Sequence, residues 1–171
     1  MSVDTRWLSP EQLAAWIRLT AVLELLPAAL DSQLRRDAQL THFDYYVLAM
    51  LSEAPDRTLR MTTLAGYTTA TLARLSHVVQ RLEGRGLLER FPCPQDRRAT
   101  NARLTEAGWR KLRESAPGHL TAVRDNVIDA LTPDQITQLG EITDAILHRL
   151  DPDGARAEHY QRYDPPRSQE A

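Results

Sequence analysis

Apolar residues recur at helical spacing through Leu13, Trp16, Ile17, Leu19, Leu23, Leu26, Leu30 and Leu34, and they spread around much of the circumference. Ser9-Pro10-Glu11-Gln12 precedes them. Ser9 suits an N-cap, Pro10 the first helical position, and Gln12 completes a capping box. Pro27 lies inside the pattern and is expected to bend the helix. A helix this apolar needs cover on more than one side, which favours a partner helix from another subunit.

The next periodic segment opens at Thr41, with Phe43, Tyr46, Val47, Met50 and Leu51 on one side, and closes at Ala54-Pro55-Asp56. Thr62 is expected to cap a short third helix holding Leu64 and Ala65, with a turn over 66–69. Thr71 then starts a fourth helix that runs to about Arg85. Leu75, Val78, Val79 and Leu82 fall at i, i+3, i+4 and i+7 and make its core face. Ala73, His77, Gln80 and Arg81 point the other way, with Arg74 at the flank. Leu87 to Phe91 reads as a strand, Pro92 to Asp96 with the adjoining arginines as an exposed loop, and Thr100 to Leu104 as a returning strand. A fifth helix starts at Thr105-Glu106, with Trp109 and Leu112 expected to be buried. Pro117-Gly118 should kink or split it before it continues to Leu131. Thr132-Pro133-Asp134-Gln135 opens a sixth helix bearing Ile136, Leu139, Ile142, Ile146 and Leu150.

This order predicts a mostly α fold with a small β-hairpin wing: a winged helix-turn-helix lobe plus a helical dimerisation lobe. The expected divisions are residues 1–36 (N-terminal dimerisation helix), 37–113 (winged helix-turn-helix), 114–150 (C-terminal dimerisation helices) and 151–171 (a disordered polar tail).

Composition changes the picture little until charge is read along the chain. The 171 residues are 42% hydrophobic and 26% charged, with mean hydropathy of -0.44. With no unbroken apolar run of membrane-span length and no basic-then-apolar leader, the expectation is a cytoplasmic protein with no membrane partner. The formal net charge is -2. Residues 57–113, however, hold 12 basic and 4 acidic side chains, while both flanking segments are acidic. A cationic middle coinciding with the helix-turn-helix pattern is the charge layout of a double-stranded DNA reader.

The blocks Leu64-Ala65, Thr71 to Leu82, Leu82-Glu83-Gly84-Arg85-Gly86-Leu87-Leu88-Glu89-Arg90, Asp96-Arg97-Arg98-Ala99 and Leu104-Thr105-Glu106-Ala107-Gly108 stand in a telling order. In these blocks, and in Thr132-Pro133-Asp134-Gln135, the chain resembles the MarR family of bacterial transcription regulators over about residues 10–150. The wording of the fourth helix is closest to its actinobacterial branch. The resemblance implies a homodimer over a palindromic site, most often a repressor, released by a small aromatic or lipophilic effector. It implies DNA contacts from Thr71 at the helix start, from Ala73, Arg74, His77 and Gln80 on the recognition helix, and from Arg98 and Arg97 on the wing, with Asp96 orienting Arg98. His77 departs from the arginine that many members carry. Trp16, His42, Tyr45 and Tyr46 are the candidate effector contacts, between the two lobes.

Rival readings find less in the residues. Cys93 is the single cysteine and sits between two prolines, away from the first-helix position that redox-sensing relatives use. The histidines show no i, i+4 pair for zinc, although His42 and His119 could meet in the fold. Neither a P-loop, a G-x-G-x-x-G nor a G-x-S-x-G is present, so no enzyme and no cofactor is expected. A metal- or redox-sensing regulator of the same fold, or a helical protein-interaction adaptor, remains the alternative; the adaptor leaves the basic segment unexplained.

Overall fold

Three Thr/Ser-started helices carry complete capping boxes. Ser9 and Gln12 open α1 (Pro10–Ala38), Thr41 and Asp44 open α2 (His42–Glu53), and Thr132 and Gln135 open α6 (Pro133–Leu150). Each box satisfies backbone N–H groups that a helix start otherwise leaves unpaired. The remaining helices are α3 (Met61–Tyr67), α4 (Leu72–Gly84) and α5 (Glu106–Asn126). The structure, a computed structural model, describes residues 5–94, 96–154, Ala157 and Tyr163, with Arg97 through its backbone alone. The expected polar tail after residue 151 lies largely outside the described residues.

The sheet is larger than the anticipated hairpin. Strand β1 (Thr58–Arg60) joins β2 (Leu88–Cys93) and β3 (Asp96–Leu104) in the antiparallel order β1-β3-β2. Leu59 pairs with Ala102 and Leu88 with Leu104. Three residues are too few to show alternation, so β1 becomes a strand only when β3 offers its edge. Most of the expected wing loop is strand too. Pro92 is tolerated because β2 is an edge strand, and the ladder slips at Pro92/Cys93.

Other expectations are corrected. Thr62 does not cap α3; that helix starts at Met61 behind Arg60, with no side-chain cap. α5 neither splits at Pro117 nor reaches Leu131, ending at Asn126 before a 3-10 turn, Ile128–Ala130. Trp109 is half-buried rather than buried, with the Arg57 guanidinium 4.5 Å above its ring. α1 runs through Pro27 as one helix.

The core lies in the winged lobe. Leu34, Leu40, Val47, Leu48, Leu51, Leu64, Leu75, Val79 and Leu82 have no exposed surface. Each buried aliphatic contributes about 1.5–3 kcal/mol relative to exposure. Leu30 and Leu34 seat the C-terminal half of α1 on this core and on α5. Gly108 sets the turn from wing into α5: a Cβ there would stand 1.9 Å from the Leu87 carbonyl oxygen, so only glycine allows the two backbones to meet.

Beyond that core the helices are bare. On α1, Leu13, Trp16, Ile17 and Leu23 are each about half exposed or more, as are Ile142 and Leu150 on α6. Between Glu11 and Asp31 the only charges are Arg18 and Glu24. By length and composition α1 is long and apolar enough to cross a membrane even though Arg18 and Glu24 interrupt its apolar run, and almost none of that stretch is buried within the chain.

Candidate nucleic-acid interface

α4 is built as an amphipathic wedge. Leu75, Val78, Val79 and Leu82 are buried, while Thr71, Ala73, Arg74, His77 and Gln80 are exposed together. Thr71 caps the helix by accepting from the Arg74 N–H at 3.2 Å, which leaves the N-terminal turn facing solvent. The recognition-face residues read from the sequence are thus brought onto one surface.

The flanks of α4 differ. Leu72 and Ser76 face the wing and, with Met61, Thr62, Arg90 and Arg98, line a cleft of about 220 Å³ between α3, α4 and β3. Arg98 is exposed at the strand that closes this cleft. Asp96 accepts from the Arg98 backbone N–H at 3.0 Å, so it shapes the hairpin tip through the main chain. The Arg97 side chain lies outside the described residues. Opposite, toward α2, Arg74 places its guanidinium 4.6 Å above the Phe43 ring, a cation–π contact that holds the side chain at the edge of the exposed face.

Ion pairs link the elements of the lobe. The Glu83 carboxylate takes Arg90 from Nε, Nη2 and the backbone N–H, tying the end of α4 to β2 and holding Glu83 below the usual carboxylate range. Arg103 pairs with Glu89 across the β2–β3 ladder. Arg81 pairs with Asp44, and Arg85 donates to the Gln39 carbonyl.

A second cleft, about 460 Å³, runs between α1, α2 and the first turn of α4. Pro27, Asp31, His42, Phe43, Tyr46 and Arg74 line it. His42 and Tyr46, two of the candidate effector contacts, are here. Tyr45 instead faces away, its ring 4.3 Å from that of His119. Trp16 sits eleven residues up α1 from Pro27, the nearest wall residue, ~16 Å along the axis, so one protomer does not bring it to this cleft. His42 and His119 do meet, with ring centroids 5.9 Å apart, and burial lowers the pKa of both. Among the described residues no group of three or more His, Cys, Asp or Glu side chains could hold a metal ion. Cys93 is buried at the end of β2, with the Arg60 Nη2 3.5 Å from its sulfur.

Sequence reasoning missed Phe43, Leu72, Ser76 and the Asp44–Arg81 link. Leu72 gave no warning, because it stands at i−3 from Leu75 and i−7 from Val79 and its spacing reads as the buried stripe, yet it is 49% exposed.

A family model described as the MarR family matches residues 40–100. Sco3205, a MarR family transcriptional regulator from Streptomyces coelicolor whose crystal structure is in complex with DNA, is 46% identical. It superposes with a TM-score of 0.83 over 87% of this chain and 93% of its own. AbsC, a MarR family regulator from the same organism, is 37% identical with a TM-score of 0.81 over 86% of this chain and 99% of its own. Curated relatives match over shorter stretches. The HTH-type transcriptional regulator YdcH of Bacillus subtilis is 32% identical over 46% of this chain, which spans 54% of that relative's length.

Proposed function

This chain belongs to the MarR family, and from that premise we propose that it is a cytoplasmic, DNA-binding transcriptional regulator, a homodimeric repressor of a palindromic operator that responds to a small ligand. One observation carries the reading. The α4 face bearing Arg74, His77 and Gln80 is exposed, and on its flank Leu72 and Ser76 share one cleft with the strand-borne Arg98, so helix and hairpin stand side by side, as a helix in a major groove with a wing beside it requires.

In this reading Ala73, His77 and Gln80 meet base edges, and Ala73 permits close approach. Arg74 contacts base or phosphate from its Phe43 seat. The free N-terminal turn capped by Thr71 takes a backbone phosphate. Arg98 reaches the neighbouring minor groove, and Arg97 adds a phosphate contact. A second copy covers the bare faces of α1 and α6, which sets two recognition helices one DNA turn apart, ~34–36 Å.

The cleft at His42 and Tyr46 is where a small aromatic or lipophilic effector would act. It touches α1, which joins the two copies, and Arg74 on α4. A ligand that binds better to one lobe orientation shifts the population toward it and changes the spacing of the two recognition helices. Trp16 enters this picture only from the partner copy.

The test is a mobility-shift titration of purified protein against the DNA upstream of its own coding sequence, with competitor duplex. A retarded, competitor-resistant complex is expected; absence of any complex in dilute buffer would overturn the reading.

A further inference from the structure

A third cleft, about 410 Å³, opens where the end of α1, the start of α2 and the second half of α4 converge. Three guanidinium groups line it: Arg35 from α1, Arg81 from α4 and Arg85 at the α4 C-cap, with Gln39, Thr41 and Asp44 completing the wall. Arg35 stands 46 and 50 residues from Arg81 and Arg85 in sequence, so the fold, not a run of charge, brings it to them.

Each arginine is held on one side only. Arg35 spends its Nε on Asp31 at 2.5 Å, Arg81 its Nη2 on Asp44 at 2.5 Å, and Arg85 its Nη1 on the Gln39 carbonyl at 3.0 Å. A guanidinium has five N–H donors, so all three keep donors for an incoming acceptor. The carboxylates of Asp31 and Asp44 orient two of the forks, and three cations against two anions leave the cleft positive. One fork matches carboxylate and phosphate alike, but three forks around one cleft favour the group with three free oxygens, a phosphate, over the two of a carboxylate.

We propose that this cleft binds a small phosphate-bearing ligand that bridges α1 to the recognition helix. The ligand would reach from Arg35 on the helix that joins the copies to Arg81 and Arg85 on the helix assigned to the duplex. The DNA backbone is a poorer occupant. Arg81 and Arg85 stand seven and eleven residues beyond Arg74, ~10 and ~16 Å further from the end of α4 that enters the groove.

The test titrates the full-length protein with inorganic phosphate by calorimetry and follows thermal unfolding in sodium phosphate against sodium chloride at matched ionic strength. Saturable binding and a midpoint rise specific to phosphate are expected. Arg85→Gln, whose partner is a solvent-facing carbonyl, and Arg35→Gln should each weaken phosphate binding by about tenfold while circular dichroism stays unchanged. An identical response to phosphate and chloride would sink the proposal. So would a phosphate effect of equal size in both variants, the mark of general exclusion from the surface. If phosphate alone does nothing but Arg85→Gln lowers DNA affinity and reduces the salt slope by about one, the duplex backbone is the occupant and the small-ligand assignment is wrong.

Discussion

Arg81 of α4 reaches Asp44 of α2 at 2.5 Å, and the carboxylate it meets is 3% exposed while the guanidinium is 52% exposed. The same carboxylate accepts from the Thr41 N–H at 2.9 Å in the α2 capping box. One acidic side chain therefore starts α2 and fixes where α4 lies against it. Arg81→Ala should cost about 2–3 kcal/mol, because it leaves a buried carboxylate with the cap alone. Asp44→Asn, which keeps a capping oxygen, should cost less. Urea denaturation of both variants and the double variant measures the coupling; strict additivity would show that the pair does not act as a unit.

Gly108→Ala should destabilise by ~3 kcal/mol or more, since the added methyl meets the Leu87 backbone at 1.9 Å and no flexible side chain can yield. Gly66→Ala is the control, with nothing within 4 Å of its Cβ. Comparable unfolding midpoints for the two would contradict the close approach.

Stability should fall between pH 7.5 and 5. Burial lowers the pKa of His42, despite the attraction of Asp31. Burial, and then the charge of His42, lower that of His119. Both folded values lie below the unfolded one of about 6.5. The unfolded chain therefore binds protons first as pH drops, so stability is full above about 6.5 and is lost on descending toward the folded values. The neighbours that bear on this are Asp31 on α1 and Tyr45 and Glu53 on α2. His119→Phe should flatten the urea midpoint against pH; an unchanged slope would remove this pair as the cause.

For the DNA reading, Arg98→Ala should lose ~1–3 kcal/mol of operator affinity and relax preference at the wing-contacted bases. His77→Ala should change which bases are preferred more than the salt dependence. Fluorescence anisotropy on operator variants at two salt concentrations separates the effects. Affinity that ignores salt altogether would speak against the cationic lobe.

For the dimer, Ile17→Asp on α1 and Ile142→Asp on α6 should each give a monomer by sedimentation equilibrium, with the winged lobe folded. Deleting residues 1–36 is a poorer experiment, because it also removes Leu30 and Leu34 from the protomer's own core. A dimer that survives both charges would move the interface elsewhere.

Helix identity was legible because its causes are local. The Ser9, Thr41, Thr71 and Thr132 caps and the 75/78/79/82 stripe act within a few residues, and the exposed face of α4 follows from them by rotation alone. The positive middle segment was equally readable, since charge is a property of the chain. The structure decided what depends on distant partners: that Thr58–Arg60 becomes a strand beside β3, that α5 passes through Pro117 with Gly118 packed near Gln33, and that Tyr45 turns to His119 while Tyr46 stays on the cleft. Long-range pairs such as Asp44–Arg81 leave no periodic trace, because nothing in a residue's neighbours specifies a partner thirty-seven positions away; only packing of the helices brings the two charges within reach.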